Sequence, residues 1–510
     1  MSRGTGAGVP GDRRRPRLTS KRFRALQGAS WRRDDAFPPT AVPNSSRLLR
    51  SVALLGSSLL AATNAVAATR IADSIASLES RLGAAAPGDR IVLKDGHYTA
   101  TAPIVLRLAG TAAQPIVIAA ETVGGATIEG AAGFKFERPA AFVTIEGFVF
   151  THRAGGAVIG GGTSHCRISR CVFECAGEGA YLTVTGDDAE VDRNEFRNKK
   201  TLGNMIGVTG TGSQVARRLW IHHNYFHDFA NAHGNGGETI RFGLSGLSMS
   251  TGAGLVEYNL FVRCTGENEL ISNKSCGNTY RYNTFLDSPG AELSQRHGNH
   301  CLIYGNYFRR TQGIRLFGDG HQIFSNYLEG NSVAISIGNG DGEVADGAKL
   351  TSHDRPDNCV IAFNTLVNNT EAYRMQGRAS GLGATNTTFA NNIIQGGGKV
   401  AAIDGPNAGA KWSGNILWKT GDAGDLPAAG YTTADPHLSP DQAGVYHILP
   451  GSPAIDSAVG DFPAVAFDMD GQPRPAAGKD VGADEFSTVP VVARILTVDD
   501  VGPGSIAPKS

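Results

Sequence analysis

Long apolar runs, charge and sulfur are all scarce in this 510-residue chain. No stretch of 18 or more consecutive apolar residues occurs, which excludes a polytopic helical membrane protein. The seven cysteines (Cys166, Cys171, Cys175, Cys264, Cys276, Cys301, Cys359) are irregularly spaced and include no CxxC pair. A disulfide framework and a zinc ribbon are therefore not expected; buried thiols are, with room for one bridge between neighbouring turns. Charged residues make up only 18% and hydrophobic ones 41%, which fits neither a coiled coil nor a disordered chain. A basic excess is also missing. The formal net charge is zero, but residues 1–67 hold 12 Lys and Arg against 3 Asp and Glu. The remainder carries 35 basic and 44 acidic residues, a net of −9, opposite in sign to a nucleic-acid binder.

What is abundant is glycine, 67 of 510 residues against a usual ~7%, together with Asn, Thr, Val and Ile. This is a β-rich, turn-dense composition. Residues 1–46 are rich in Arg and Pro and read as unstructured. From Arg47, two arginines precede an apolar run (Val52 to Ala62) and then Ala65-Val66-Ala67. That order is a secretory signal peptide cleaved near Ala67–Ala68, so the mature protein is expected to be exported, periplasmic or secreted, without a membrane span.

A single motif, apolar-x-x-Asn-x-apolar, recurs through the middle of the chain. Its asparagines are Asn194, Asn224, Asn259, Asn283, Asn306, Asn326, Asn364, Asn392 and Asn415, and two earlier copies carry Gly147 and Cys171 instead. Successive steps are 24, 23, 30, 35, 24, 23, 20, 38, 28 and 23 residues. A minimum near 20–24 residues with occasional insertions marks a solenoid, and the short β-branched and aromatic runs show no helical period. The expected fold is all-β, a right-handed parallel β-helix with rungs ~4.8 Å apart. Each repeated Asn is expected at a turn, tolerating the left-handed conformation and stacking its amide on its neighbours. Residues 72–89 read as an amphipathic helix capping the first rung, after which the strands begin. The domain is expected to span 68–486, closing irregularly after Pro436, with 487–510 as a tail.

Four clusters break the bland repeat: 233–243, 266–278, 294–300 and 313–321. Counted from its own repeat Asn, Asn235 lies at +11 and Glu238 at +14. Glu267, Glu269 and Lys274 lie at +8, +10 and +15, Arg296 at +13 and Arg315 at +9. These residues therefore share one angular sector of four consecutive rungs. Glu267 and Glu269, two apart, project from the same face if on a strand. Two carboxylates so close repel unless a cation sits between them, and an all-oxygen set with Asn235 and Glu238 favours Ca²⁺ over zinc. A lysine and an arginine beside such a cation suit an anionic substrate and acid–base work.

These motifs resemble polysaccharide lyase family 6, the group of alginate lyases and chondroitinase B. The matching elements are NGGE at Asn235–Glu238, E-N-E at Glu267–Glu269, K-S at Lys274–Ser275 and R-H-G at Arg296–Gly298. The resemblance implies calcium-dependent β-elimination on an anionic uronate polysaccharide, with Lys274 as base and Arg296 as acid. It implies Asn235, Glu267 and Glu269 as calcium ligands, with Glu238 a further candidate. Arg241, His297, Arg315 and Arg378 could clamp carboxylates of flanking sugars. Alginate is the expected substrate. The alternatives are dermatan sulfate, or a non-catalytic carbohydrate-binding β-helix.

Overall fold

The computed structural model describes residues 67–153, 156–230 and 234–506; the leader and the signal peptide lie outside these residues, apart from Ala67. Three parallel sheets of 14, 13 and 14 strands wrap one hydrophobic core, and each turn of the chain contributes one strand to each sheet. The fold is a parallel β-helix. Period-two alternation inside three-residue strands explains it. In the first sheet, one inward column runs Ile91, Ile118, Ile145, Ile168, Val191, Ile221, Val256 and Tyr280, each directly above the last. Every member is fully buried. In the sheet that follows the repeat Asn, Phe150, Phe173, Phe196, Phe226, Phe261, Phe285 and Phe308 stack with centroids 4.5–4.9 Å apart. Each buried ring is worth about 1.5–3 kcal/mol, so the stack is a principal source of cohesion between rungs.

The asparagines form a continuous ladder. Asn194 Nδ2 donates to Asn224 Oδ1 (3.0 Å), and the same contact repeats through Asn259, Asn283, Asn306, Asn326, Asn364, Asn392 and Asn415. The left-handed backbone falls one residue earlier than the sequence suggested. Arg193, His223, Tyr258, Tyr282, Ser325 and Phe363 have φ of 51–55°, whereas the ladder asparagines do not. The ladder amides stabilise the turn by side-chain bonding, and the preceding residue absorbs the strain.

The capping helix is Ile75–Gly83, started by Ser74, whose side chain accepts from Ser77 N. It buries Leu78 and Leu82 over the open end of the core, covering an edge that would otherwise be exposed. One strand, Thr69–Ala72, precedes it and pairs with Arg90–Leu93, so the strands begin before the helix and not after it. All seven cysteines are buried free thiols, so the bridge left open by their spacing does not form.

Part of the segment from Ser487, read from sequence as a tail, packs on the solenoid among the described residues. Past Pro436 the chain runs back along the outside of the solenoid toward its N-terminal end. Val445, Met469 and Ala483 bury against Tyr307, Tyr327 and Val367. Farther on, Leu496 and Val501 pack on Leu260 and Val262, while Leu496 N donates to Thr284 Oγ1 and Gly502 N to His223 O.

Candidate active site

The site sits on the 13-stranded sheet, on the adjacent strands Ile240–Gly243, Glu269–Lys274, Glu292–His297 and Gly313–Leu316. Ile240, Ile271, Leu293 and Ile314 stack inward, which turns the alternate column Arg241, Ser272, Ser294 and Arg315 outward. The pairing of Glu269–Lys274 with Glu292–His297 is irregular at two points. Lys274 pairs with His297 directly after Asn273 pairs with Gln295, which leaves Arg296 as an extra residue in the ladder. A bulge re-aims a side chain, and here it brings Arg296 out beside Lys274. Gly298 follows at φ 87°, and a Cβ there would lie 2.3 Å from Ser275 O, so the R-H-G turn can close over the lysine's turn only with glycine.

Glu238, Glu267 and Glu269 bring carboxylate oxygens within 4.8 Å of one another. The NGGE motif builds this cluster. Gly236, at φ 104°, and Gly237 both point their N–H groups at Glu267 Oε2. Glu238 is 1% exposed and accepts from Asn204 Nδ2 at 2.8 Å and from Lys274 Nζ at 3.2 Å. Glu269 accepts from Ser272 Oγ and Arg315 Nη2, with Arg296 Nε 3.6 Å away. Burial, then repulsion from Glu238 and Glu269, pushes the Glu267 carboxyl above its ordinary range. Burial also holds Arg296 below the usual arginine range; Arg315 and Arg378 act in the same direction, against Glu269.

Asn235, Ser245, Glu267, Glu269, Lys274 and Arg296 line one cavity of about 570 Å³. The remaining sequence candidates divide. Arg241 is half-buried and stands one rung from Ser272. Arg315 bridges Glu269 and Glu292. Arg378 is instead tied to Asp341 at 2.5 Å and is not among the lining residues. His297 is buried, at 1% exposure. Its Nε2 accepts from Arg296 Nη1 at 3.1 Å, and burial followed by the Arg296 and Lys274 charges pushes it down to about 3. A neutral His297 therefore orients Arg296. Sequence reasoning missed Asn204, Ser272 and Glu292, none of which carries a motif signature.

The residues fit a hard divalent cation. Ca–O distances of about 2.3–2.6 Å place oxygens around one ion within about 5 Å of each other, the span found here, and every donor is oxygen. Two other acidic groups resemble sites only in composition. Asp192 is held by Arg167 and Arg193, and Asp484 accepts from Ile448 N while Asp470 pairs with His447.

Fold and family together place the chain among the polysaccharide lyases built on a parallel β-helix. The Chondroitinase B family model matches residues 72–380, and the chain belongs to that family, polysaccharide lyase family 6. Among solved structures, the PL6 family alginate lyase AlyGC has a TM-score of 0.66 and 26% identity over 75% of this chain; the chain spans 56% of AlyGC's length. A mannuronic acid specific family 6 lyase from human gut microbiota has a TM-score of 0.64 at 26% identity, covering 74% of this chain and 92% of that one. A PL6 alginate lyase complexed with a trisaccharide has a TM-score of 0.65 over 86% of this chain and 96% of its own, but at 20% identity it bears on the fold alone. No curated protein matches the chain.

Proposed function

We propose that this protein is an exported, calcium-dependent lyase that cleaves alginate by β-elimination. The observation that carries the reading is the convergence of Lys274 and Arg296 in one cavity with Glu267 and Glu269, whose carboxylates cluster with that of buried Glu238. Asn235, Glu267 and Glu269 would hold the ion, with Glu238 beside them. Calcium held there would neutralise the substrate's C6 carboxylate and so make the neighbouring C5 proton removable.

Lys274, whose Nζ lies 3.2 Å from Glu238 Oε1, takes the C5 proton. The electron pair left on C5 forms the C4–C5 double bond as the C4–O bond breaks. Arg296, whose proton affinity burial already lowers, protonates the departing oxygen. His297 fixes the Arg296 guanidinium for that step through its Nε2 contact. Arg241 adds positive charge on the same outward column, suited to a neighbouring uronate.

Likeness at 26% identity to a PL6 family alginate lyase and to a mannuronic acid specific family 6 lyase supports alginate. The matching family description supports a second reading, action on dermatan sulfate. The two separate in one assay: ultraviolet absorbance of the unsaturated uronate product, on each polymer, with Ca²⁺ and with EDTA. A calcium-dependent rise on alginate is expected. A rise on dermatan sulfate alone would keep the chemistry and overturn the substrate.

A further inference from the structure

Two members of the carboxylate cluster, Glu238 and Glu269, meet the chain's own cations, and one of these cations has a second acid to go to. Arg315 donates through Nη2 to Glu269, and its Nη1 forms an ion pair with Glu292 Oε1 at 3.0 Å. Ser294 Oγ accepts from its Nε at 3.1 Å and its Nη2 at 3.0 Å. Glu292 begins the strand next to Glu269, pairs with it in register, and is 4% exposed. Its carboxylate has no ion-pair partner but Arg315 among the described residues.

We propose that Glu292 is a positioning residue that holds Arg315 in place while a divalent cation displaces it from Glu269. This rests on the reading of the Glu238–Glu267–Glu269 cluster as the cation site. Arg315 occupies a Glu269 oxygen that an ion held there would need. When the ion arrives, only the Nη2–Glu269 bond must be given up. The ion pair with Glu292 and the bonds to Ser294 remain, so the guanidinium neither drifts into the cavity nor competes at full strength. Removing Glu292 leaves Arg315 with Glu269 as its only carboxylate and turns it into a stronger competitor of the ion.

The test is calorimetric titration of the full protein with CaCl₂ alone, in a double-mutant cycle of Glu292→Gln and Arg315→Gln. Glu292→Gln is expected to weaken Ca²⁺ binding about tenfold, the scale of one charge-assisted hydrogen bond. Arg315→Gln is expected to bind at least as tightly as the parent. The double variant should match Arg315→Gln within about twofold, because Glu292 acts through Arg315. An equal loss in both backgrounds would mean that Glu292 merely adds negative charge, and would overturn the proposal. So would unchanged binding in Glu292→Gln. Failure of the parent protein to bind Ca²⁺ would instead remove the cation site itself, and the proposal with it. If Glu292→Gln does not fold, Ser294→Ala, which removes the other anchor, should weaken binding in the same direction; unchanged binding there would count against the anchoring.

Discussion

Replacing Asn283 with alanine tests what holds the rungs together. Its Oδ1 accepts from Asn259 N at 3.1 Å and Asn259 Nδ2 at 3.0 Å. Its Nδ2 donates to Val256 O, Arg281 O and Asn306 Oδ1. Some of these groups keep other partners: Asn259 Nδ2 still reaches Ile221 O and Glu257 O, Asn306 Oδ1 still accepts from Asn283 N, and Arg281 O from Tyr258 N. The backbone N–H of Asn259 loses the partner given above, beside the fully buried side chains of Asn259 and Asn283, and Val256 O loses its side-chain donor. A buried unsatisfied N–H costs about 1–3 kcal/mol and a lost hydrogen bond about 1 kcal/mol, so the substitution should destabilise by roughly 2–4 kcal/mol. Urea unfolding followed by circular dichroism, with amide hydrogen exchange at Asn259, measures both the total and its location. Loss below about 1 kcal/mol, or unchanged exchange at Asn259, would refute the view that the ladder is a structural necessity.

Gly298→Ala should destabilise by at least about 2 kcal/mol and lower kcat, since its Cβ meets Ser275 O beside Lys274; calorimetry and turnover on one preparation check this. Glu267→Gln should weaken Ca²⁺ binding by at least about tenfold, read by calorimetry. His447 gives a pH dependence in the C-terminal cap. Burial alone would lower its affinity for a proton, but the bond to Asp470 Oδ2 (3.0 Å) and the fields of Asp484 and Asp470 outweigh it and raise the ring to about 9. A raised folded value means the stabilisation is fully present below about pH 6.5 and is lost as pH climbs through about 9. Unfolding midpoints measured from pH 6 to 10 should therefore fall, and His447→Gln should flatten the fall in that window.

The solenoid was legible because its repeat is local. Each rung restates the same alternation and the same Asn, so periodicity alone yields strands, turns and inward columns. The αL position was misassigned because sequence marks the repeated asparagine and not the residue before it, which varies from Arg193 to Phe363. The C-terminal segment was illegible for another reason. Its contacts, such as Leu496 N to Thr284 Oγ1, span 212 residues and leave no periodic trace. At the site, the acidic triad, Lys274 and Arg296 were legible because their offsets from the ladder fix their rung and sector. His297 and Arg378 were not, because burial and the partner Asp341 decide their roles. Glu292 escaped notice because only a paired neighbouring strand reveals what it faces.

The central claim is that Lys274 removes a proton from a uronate polymer in a cation-dependent elimination. The most direct measurement follows unsaturated-uronate absorbance on alginate for the parent protein and Lys274→Ala, each in Ca²⁺ and in EDTA, with folding verified by circular dichroism. The account predicts a rise for the parent in Ca²⁺ only, and a loss of at least about a thousandfold in the variant. A folded Lys274→Ala protein that keeps the parent's rate would contradict it.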